Sequence, residues 1–380
     1  MIIPDSHYSH FLDDIFCKAI ENRVFPGAVA GISYGAPNKR KKIIKSFGYA
    51  TLCPELEKMD TGFFFDLASL TKPFAVTLAV LCLIKEKKCS LFDTIPCFFK
   101  TEVVPEKRNI TLFHLLNHCS GLPAHRPYYK RLVDIPENKR KDALKSYVME
   151  EPLEYETGKR AIYSDLGYMI AGWMIENRSG MRLDHYVKKK VFEPLGLAEG
   201  IFFRPLNENK KQVKRFAATE DCKWRGKVLK GEVHDDNAFS VGGISGQAGL
   251  FGDIQSVLGL TEAVLDQWKG RAVHTNYNNA DLINFLTRQN FVKESSWAIG
   301  FDTPSATGSS GGRYLSKTSV GHLGFTGVSF WIDPEKEIVM VLLTNRVHPN
   351  RDNIKIREFR PLFHDTVIQC LCNRSQMGHL

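Results

Sequence analysis

Three places in this 380-residue sequence put reactive side chains where they could act together. The first is Ser69-Leu70-Thr71-Lys72, where the apolar run Phe63-Phe64-Phe65 gives way to a helical pattern. A serine and a lysine three residues apart on a helix share one face, so the amine reaches the hydroxyl. A serine at a helix N-terminus also meets the positive end of the macrodipole. A free hydroxyl is a poor nucleophile near neutral pH and needs both kinds of help. A capping serine beside a solvated lysine fits the same spacing, which arises by chance about once in such a chain. The second place is Tyr163-Ser164-Asp165, heading the apolar run Leu166 to Ile175. A phenol near a cationic lysine loses its proton more easily and could take one from a serine; a core aromatic would look the same. The third is His322-Leu323-Gly324, followed by Phe325-Thr326-Gly327 and a β run. A glycine beside an edge strand admits a substrate backbone, and the next N–H can point at a developing oxyanion. An ordinary turn glycine with a surface histidine is the plainer alternative.

The elements that must position these groups follow from periodicity. Phe11, Ile15, Phe16, Ala19 and Ile20 have helical spacing, and β-rich runs follow at Gly27 to Tyr34 and Ile43 to Ala50. From Thr71 to about Tyr186 the pattern is helical, with apolar stretches at Phe74 to Ile84, Leu112 to Leu116 and Tyr163 to Ile175. Val328 to Ile332 and Ile338 to Leu343 flank Asp333-Pro334-Glu335-Lys336 as a hairpin would. A last helix should hold Ile354, Ile356, Phe359, Phe363, Val367 and Leu371. With β elements at both ends and helices between, the expectation is an α+β (α/β sandwich) fold. Residues 1–66 and 295–380 would build the sheet domain and 67–294 a mostly helical domain, with the site in the cleft between them. Ser305 to Gly312 is low in complexity and reads as a flexible loop.

Ser-x-x-Lys, then Tyr-x-Asp, then a basic-x-Gly strand, in that order, resembles the penicillin-recognising serine hydrolases. The tyrosine in the middle motif is similar to the class C β-lactamase branch, which includes D-Ala-D-Ala carboxypeptidases and esterases. Phe25-Pro26-Gly27-Ala28-Val29, the segment Phe65 to Lys72, the helix-and-loop text Ile110 to Pro123 and Phe192-Glu193-Pro194-Leu195-Gly196-Leu197 also resemble the family. The likeness runs from Phe11 to the final helix. It implies a β-lactamase/DD-peptidase-like fold, an antiparallel sheet flanked by helices. It further implies Ser69 as acylated nucleophile, Lys72 and Tyr163 as the proton-handling pair, and the backbone N–H groups of Ser69 and Phe325 as oxyanion hole. Asp165, His322 and Gly324 would contact substrate, and no metal or organic cofactor is expected.

His114 and His118 have the spacing of a zinc motif, but Leu115 stands where its glutamate would be. Gly231 to Asn237 and Gly246 to Phe251 resemble stretches of a subset of the family, the second lying near the site. Two departures matter. Asp165 stands where many relatives have asparagine, and beside Lys72 it would hold the lysine protonated and leave Tyr163 more of the general-base work. His322 replaces the usual lysine; with an ordinary pKa near 6.5 it is largely neutral at pH 7. Anionic substrates should then be recognised poorly, regaining ground as pH drops or in His322→Lys.

Composition narrows the partners. With 43% hydrophobic and 24% charged residues the chain is globular, and its length lets it bury roughly three quarters of its unfolded surface. The net charge of +9 is dispersed, apart from clusters at Lys39 to Lys42 and Lys188 to Lys190, which argues against nucleic acid. The nine cysteines include no C-x-x-C pair, and Asp5, Asp13 and Asp14 break any signal-peptide pattern, so a cytoplasmic, reduced protein is expected. The longest apolar run, Phe74 to Ile84, is short of a membrane span. The leading reading is a serine hydrolase forming an acyl-Ser69 intermediate with a small ester, amide or peptide. A D-Ala-D-Ala carboxypeptidase or β-lactamase is the alternative within the class, and a non-catalytic binding protein the alternative outside it.

Overall fold

The computed structural model describes residues 6–99, 103–206, 214–271 and 276–377. Helix α1 (Ser6–Glu21) leads into the antiparallel pair β1 (Gly27–Tyr34) and β2 (Lys41–Thr51), and the short β3 (Glu57–Lys58) extends β2. The sheet then waits for the other end of the chain. Strands β4 (Val320–Leu323), β5 (Ser329–Asp333) and β6 (Ile338–Thr344) complete an antiparallel sheet in the order β3-β2-β1-β6-β5-β4. β1 pairs with β6 in the register Ala30↔Leu342, which places the C-terminal hairpin beside the N-terminal one.

Side chains alternate between two cores because successive strand residues point to opposite faces. Val29, Phe330, Ile332, Val339, Val341 and Leu343 face the larger core. There they meet α4 (Ile254–Trp268) and the helices of the middle segment, α2 (Leu78–Lys85) and α3 (Asp165–Ser179). Ala28, Ala30, Ile32, Trp331, Met340 and Leu342 face the second core, under α1 and α5 (Ile356–Met377). There Phe16 stacks on Phe47 at 4.1 Å between centroids and meets Phe359 edge-on at 5.0 Å. Such pairs add about 0.5–1.5 kcal/mol each beyond their burial.

Three details differ from the sequence reading. Ile354 precedes α5 and is exposed, so the apolar face of that helix begins at Ile356. Ala68–Lys85 is apolar and long enough to span a membrane by composition, but 83% of it is buried inside the protein as the core helix. The loop 305–312 is anchored at its C-terminal end to α5, where Ser310 O lies 3.1 Å from His364 Nδ1 and Arg313 N donates to Asp365 at 2.6 Å. The basic clusters are partly neutralised, Arg40 by Asp266 and Lys42 by Glu262, Lys190 by Glu86.

Candidate active site

A small sheet of Phe65–Asp66, Leu250–Gly252 and Ile201–Phe203 delivers the chain to Ser69. Leu67 N donates to Leu250 O at 2.9 Å, and the chain then turns abruptly. Ala68 is left-handed at φ 46, a conformation that costs a residue with a Cβ about 1–2 kcal/mol. Asp66 holds it by accepting from Ala68 N at 2.8 Å. Ser69 therefore sits in a 3₁₀ turn, Ala68–Leu70, and Lys72 opens a π-helical stretch, Lys72–Thr77. The two do not lie on a regular α-helix as the spacing suggested, yet they meet: Lys72 Nζ donates to Ser69 Oγ at 3.1 Å.

Lys72 is fully buried and uses its other two protons on Asp165 Oδ1 at 2.7 Å and Gln247 O at 3.1 Å. Gln247 comes from the stretch 246–251. Gly246 is required there because a Cβ would strike the Tyr168 carbonyl of α3. Asp165 is the first residue of α3, set by Ser164, whose hydroxyl donates to Pro123 O at 2.7 Å and accepts from Gly167 N at 3.3 Å. Burial alone would lower the lysine's pKa, but Asp165 and then Tyr163 outweigh it and the shift is upward. The carboxyl moves the other way: burial opposes ionisation, while Lys72 and then His125 pull Asp165 down to about 2. Lys72 is held protonated, as the Asp165 departure implied.

Tyr163 lies against this pair, its ring 4.8 Å from Lys72 Nζ. Burial raises its pKa above the ordinary value, although Lys72 draws it down. His118 packs beneath it at 4.7 Å between centroids, and His118 Nδ1 accepts from Ser164 N at 3.1 Å. His118 thus braces the Tyr163–Asp165 segment, while His114 serves a capping box with Thr111. His125 Nδ1 lies 3.4 Å from the second oxygen of Asp165 at the mouth of the site.

Across the cleft, His322 on β4 is buried, with Nδ1 donating to Leu323 O at 2.8 Å and its ring 6.2 Å from Tyr163. Burial, then Lys72, depress its pKa to about 3. The expectation that acidification would charge it is corrected: His322 stays neutral down to strongly acid pH because it is buried beside a cation. A Cβ at Gly324 would collide with Val328 and come within 2.9 Å of Leu67 O, so only glycine lets this turn abut the residues before Ser69. Phe325 follows, its ring half exposed and stacked on His234 at 5.6 Å. Neither Phe325 N nor Ser69 N has an acceptor among the described residues.

The run 231–237 proves to be a clasp. His234 N donates to Asp66 at 2.6 Å, Asp235 caps the short helix Asp236–Ser240, and Asn237 accepts from Tyr129 N at 2.9 Å and donates to Arg126 O at 2.8 Å. Arg225 and Arg351 hold Asp236 at 2.7 and 3.0 Å, and Arg351 also pairs with Glu220. Asp235 is raised above the usual carboxylate range by burial and then by Asp165, so burial favours its neutral form. Motif spacing signalled Ser69, Lys72, Tyr163, Asp165, His322 and Gly324. His125 and Gln247 carried no signal of their own, though Gln247 lies inside the family-like stretch Gly246 to Phe251 and His125 just beyond Ile110 to Pro123. Among the described residues no group of three or more His, Cys, Asp or Glu could hold a metal ion.

A Ser-Lys-Tyr cluster built around the buried Lys72, between an antiparallel sheet and a helical region, defines a serine hydrolase of the penicillin-recognising architecture. The chain belongs to the beta-lactamase family, whose model matches residues 12–363. It is 32% identical over 362 aligned positions to the N-acetylmuramyl-L-alanine amidase of Bacillus subtilis (strain 168), covering 85% of this chain and 78% of that one. It is 30% identical over 332 positions to a putative D-alanyl-D-alanine carboxypeptidase of Escherichia coli (strain K12), covering 80% and 74%. In fold it is similar to the octameric penicillin-binding protein homologue from Pyrococcus abyssi, with TM-score 0.70, 21% identity and coverage of 93% and 77%. It is also similar to EstCE1, a hydrolase with promiscuous acyltransferase activity, with TM-score 0.69, 21% identity and coverage of 93% and 98%. The protein is a hydrolase.

Proposed function

We propose that the protein is an acyl-serine amidase or esterase acting on substrates with no free carboxylate beside the scissile bond. The observation that carries this reading is the buried His322, which burial and then the nearby Lys72 keep neutral. A carboxypeptidase must bind the terminal carboxylate next to the bond it cuts, and this position of the cleft supplies no cation for it. Of the relatives, the amidase fits better, with a muramyl acyl group and the amine of L-alanine as leaving group. Eight free cysteines among the described residues support a reducing, cytoplasmic setting.

Ser69 Oγ attacks the carbonyl carbon as its proton passes to the Lys72–Tyr163 pair. The carbonyl π electrons move to oxygen, where the Ser69 and Phe325 N–H groups stabilise the charge. The tetrahedral centre collapses, the C–N or C–O bond breaks, and the pair returns the proton to the leaving group. Water then repeats the sequence on the acyl-Ser69 ester. Since Lys72 and Tyr163 both rest protonated, the active form carries one proton fewer on the pair.

The test is turnover of N-acetylmuramyl-L-alanine with its carboxyl amidated or free, and of a p-nitrophenyl ester. Each is run with wild type, Ser69→Ala and His322→Lys, and acyl-Ser69 is sought by intact mass. The expected result is a preference for the amidated substrate, loss of all turnover in Ser69→Ala, and a gain on the free acid in His322→Lys. Preference for the free acid by wild type would overturn the substrate assignment. Undiminished turnover by Ser69→Ala would overturn the mechanism.

A further inference from the structure

The turn that carries the Phe325 N–H is gripped from behind by two arginines that have no carboxylate partner among the described residues. Arg360, on α5, is only 6% exposed, and its Nη2 donates to Gly324 O at 2.7 Å and Val328 O at 2.8 Å. Its Nε has no hydrogen-bond partner among the described residues. Arg346, equally buried, donates through Nε to Phe325 O at 2.7 Å and lies 4.4 Å from the Phe325 ring. Its Nη1 goes to the main-chain oxygens of Arg351 and Asn353. A buried guanidinium normally demands a carboxylate because desolvation is expensive. Arg360 instead spends its charge on the carbonyls at the neck of one turn.

The carbonyl that Arg360 holds, Gly324 C=O, belongs to the same peptide unit as the Phe325 N–H. Amide conjugation couples the two ends: a cation on the oxygen draws electron density from nitrogen and makes the N–H a stronger donor. The unit is also fixed in place. Thr326 Oγ1 donates to Asp66 O at 2.7 Å, so the turn is bolted to the strand that leads to Ser69. Arg360 stays charged at neutral pH, burial, then Arg346 and Arg357, bringing its pKa down to about 9. Its charge reaches the cleft, where it is one of those that oppose protonation of His322.

We propose that Arg360 is a positioning residue for the hydrolysis, orienting and polarising the Gly324–Phe325 peptide so that the Phe325 N–H meets the charge developing on the substrate's carbonyl oxygen. No proton passes through Arg360. The inference rests on the reading of Ser69 and Phe325 given under the proposed function, and adds the group that tunes one of their N–H donors.

The experiment compares wild type, Arg360→Gln and Arg360→Lys by pre-steady-state acylation with a p-nitrophenyl ester, by affinity for a phenylboronic acid and by thermal melting. The boronate mimics the tetrahedral anion on Ser69, so it reports the oxyanion hole, which a purely structural staple would leave unchanged. Arg360→Gln keeps an N–H donor but loses the charge. Acylation should fall on the order of 10- to 100-fold with KM little changed, and boronate affinity should fall in parallel. Arg360→Lys should lie between. Should Arg360→Gln not fold, Arg360→Lys carries the test with an ester and its thiono analogue, whose sulfur accepts hydrogen bonds weakly. The penalty for sulfur should be smaller in Arg360→Lys than in wild type. Unchanged acylation and boronate affinity in folded Arg360→Gln, or an unchanged sulfur penalty in Arg360→Lys, would overturn the proposal. A dead Ser69→Ala beside an unaffected Arg360→Gln removes the Arg360 role alone, whereas an active Ser69→Ala removes the mechanism beneath it.

Discussion

Lys72 and Arg360 are both buried cations at the candidate site, and the protein balances their charges in opposite ways. Lys72 meets a carboxylate, a hydroxyl and a carbonyl, one for each of its protons. Arg360 meets only peptide dipoles. A paired cation beside an anion holds its proton tightly and projects little field, which suits a group that must store and return a proton. An uncompensated cation keeps its field, which suits a group that acts on charge appearing nearby. Each also sits among histidines that it helps to keep neutral: His118 and His322 by Lys72, His364 by Arg360.

The harshest break of this contrast is to remove the paired cation or its relay. Lys72→Ala leaves the part-buried Asp165 without its lysine, so acylation should fall at least 10³-fold and stability by about 1–3 kcal/mol. Tyr163→Phe should approach Ser69→Ala in activity while melting like wild type. Stopped-flow acylation and melting curves decide this, and a Tyr163→Phe enzyme with most of its turnover would mean that Lys72 works alone.

A milder change sharpens the contrast by taking away only the anion. In Asp165→Asn the lysine loses the charge that raises its pKa, so the rising limb of kcat/KM against pH should move to lower pH by roughly one to two units. Below the original limb the variant should outpace wild type by about tenfold. A limb that stays put or moves to higher pH would show that Asp165 does not set the proton affinity of the pair.

Acidification tests the histidines around both cations with no mutation at all. His322 and His364 have pKa values near 3, and His118 lies well below its ordinary value, burial being the first cause in each. Between about pH 6.5 and 3 the unfolded chain binds protons that the folded chain refuses. Stability should therefore fall as pH drops through that window, by up to about 1.4 kcal/mol per pH unit for each histidine. Below about pH 4 Asp165 adds to the loss, since its folded pKa is depressed to about 2. A melting temperature that stays flat from pH 7 to 5 would contradict these burial-driven shifts.

The sheet was legible because alternation along β1, β5 and β6 writes both faces into the sequence. Ser69, Lys72, Tyr163 and Asp165 were legible as a group because their motifs stand in the order of the family they resemble, and the structure brings them together. The abrupt turn at Ala68 and the π-helical start at Lys72 were not, since such backbone shapes leave no trace in composition. The proton affinity of His322 was read too high because it depends on burial and on a lysine 250 positions earlier in the chain. Arg346 and Arg360 were invisible for a related reason: a single arginine says nothing about the carbonyl it will find. The role of the run 231–237 could not be derived from the sequence; in the structure its acids are spent on capping and on Arg225 and Arg351.

The closing of the sheet by strands from both ends has a consequence for how the protein is made. Gly27 N meets the side chain of Asn345 across a sequence separation of 318 residues, and β1 stays unpaired along its β6 edge until that late segment leaves the ribosome. Contacts of such long range are slow to form and leave apolar strands open to wrong partners meanwhile. Ser69 lies far upstream of His322, Gly324 and Phe325 in the sequence. A nascent chain therefore exposes its serine before the strand and turn that form the other side of the cleft have been made.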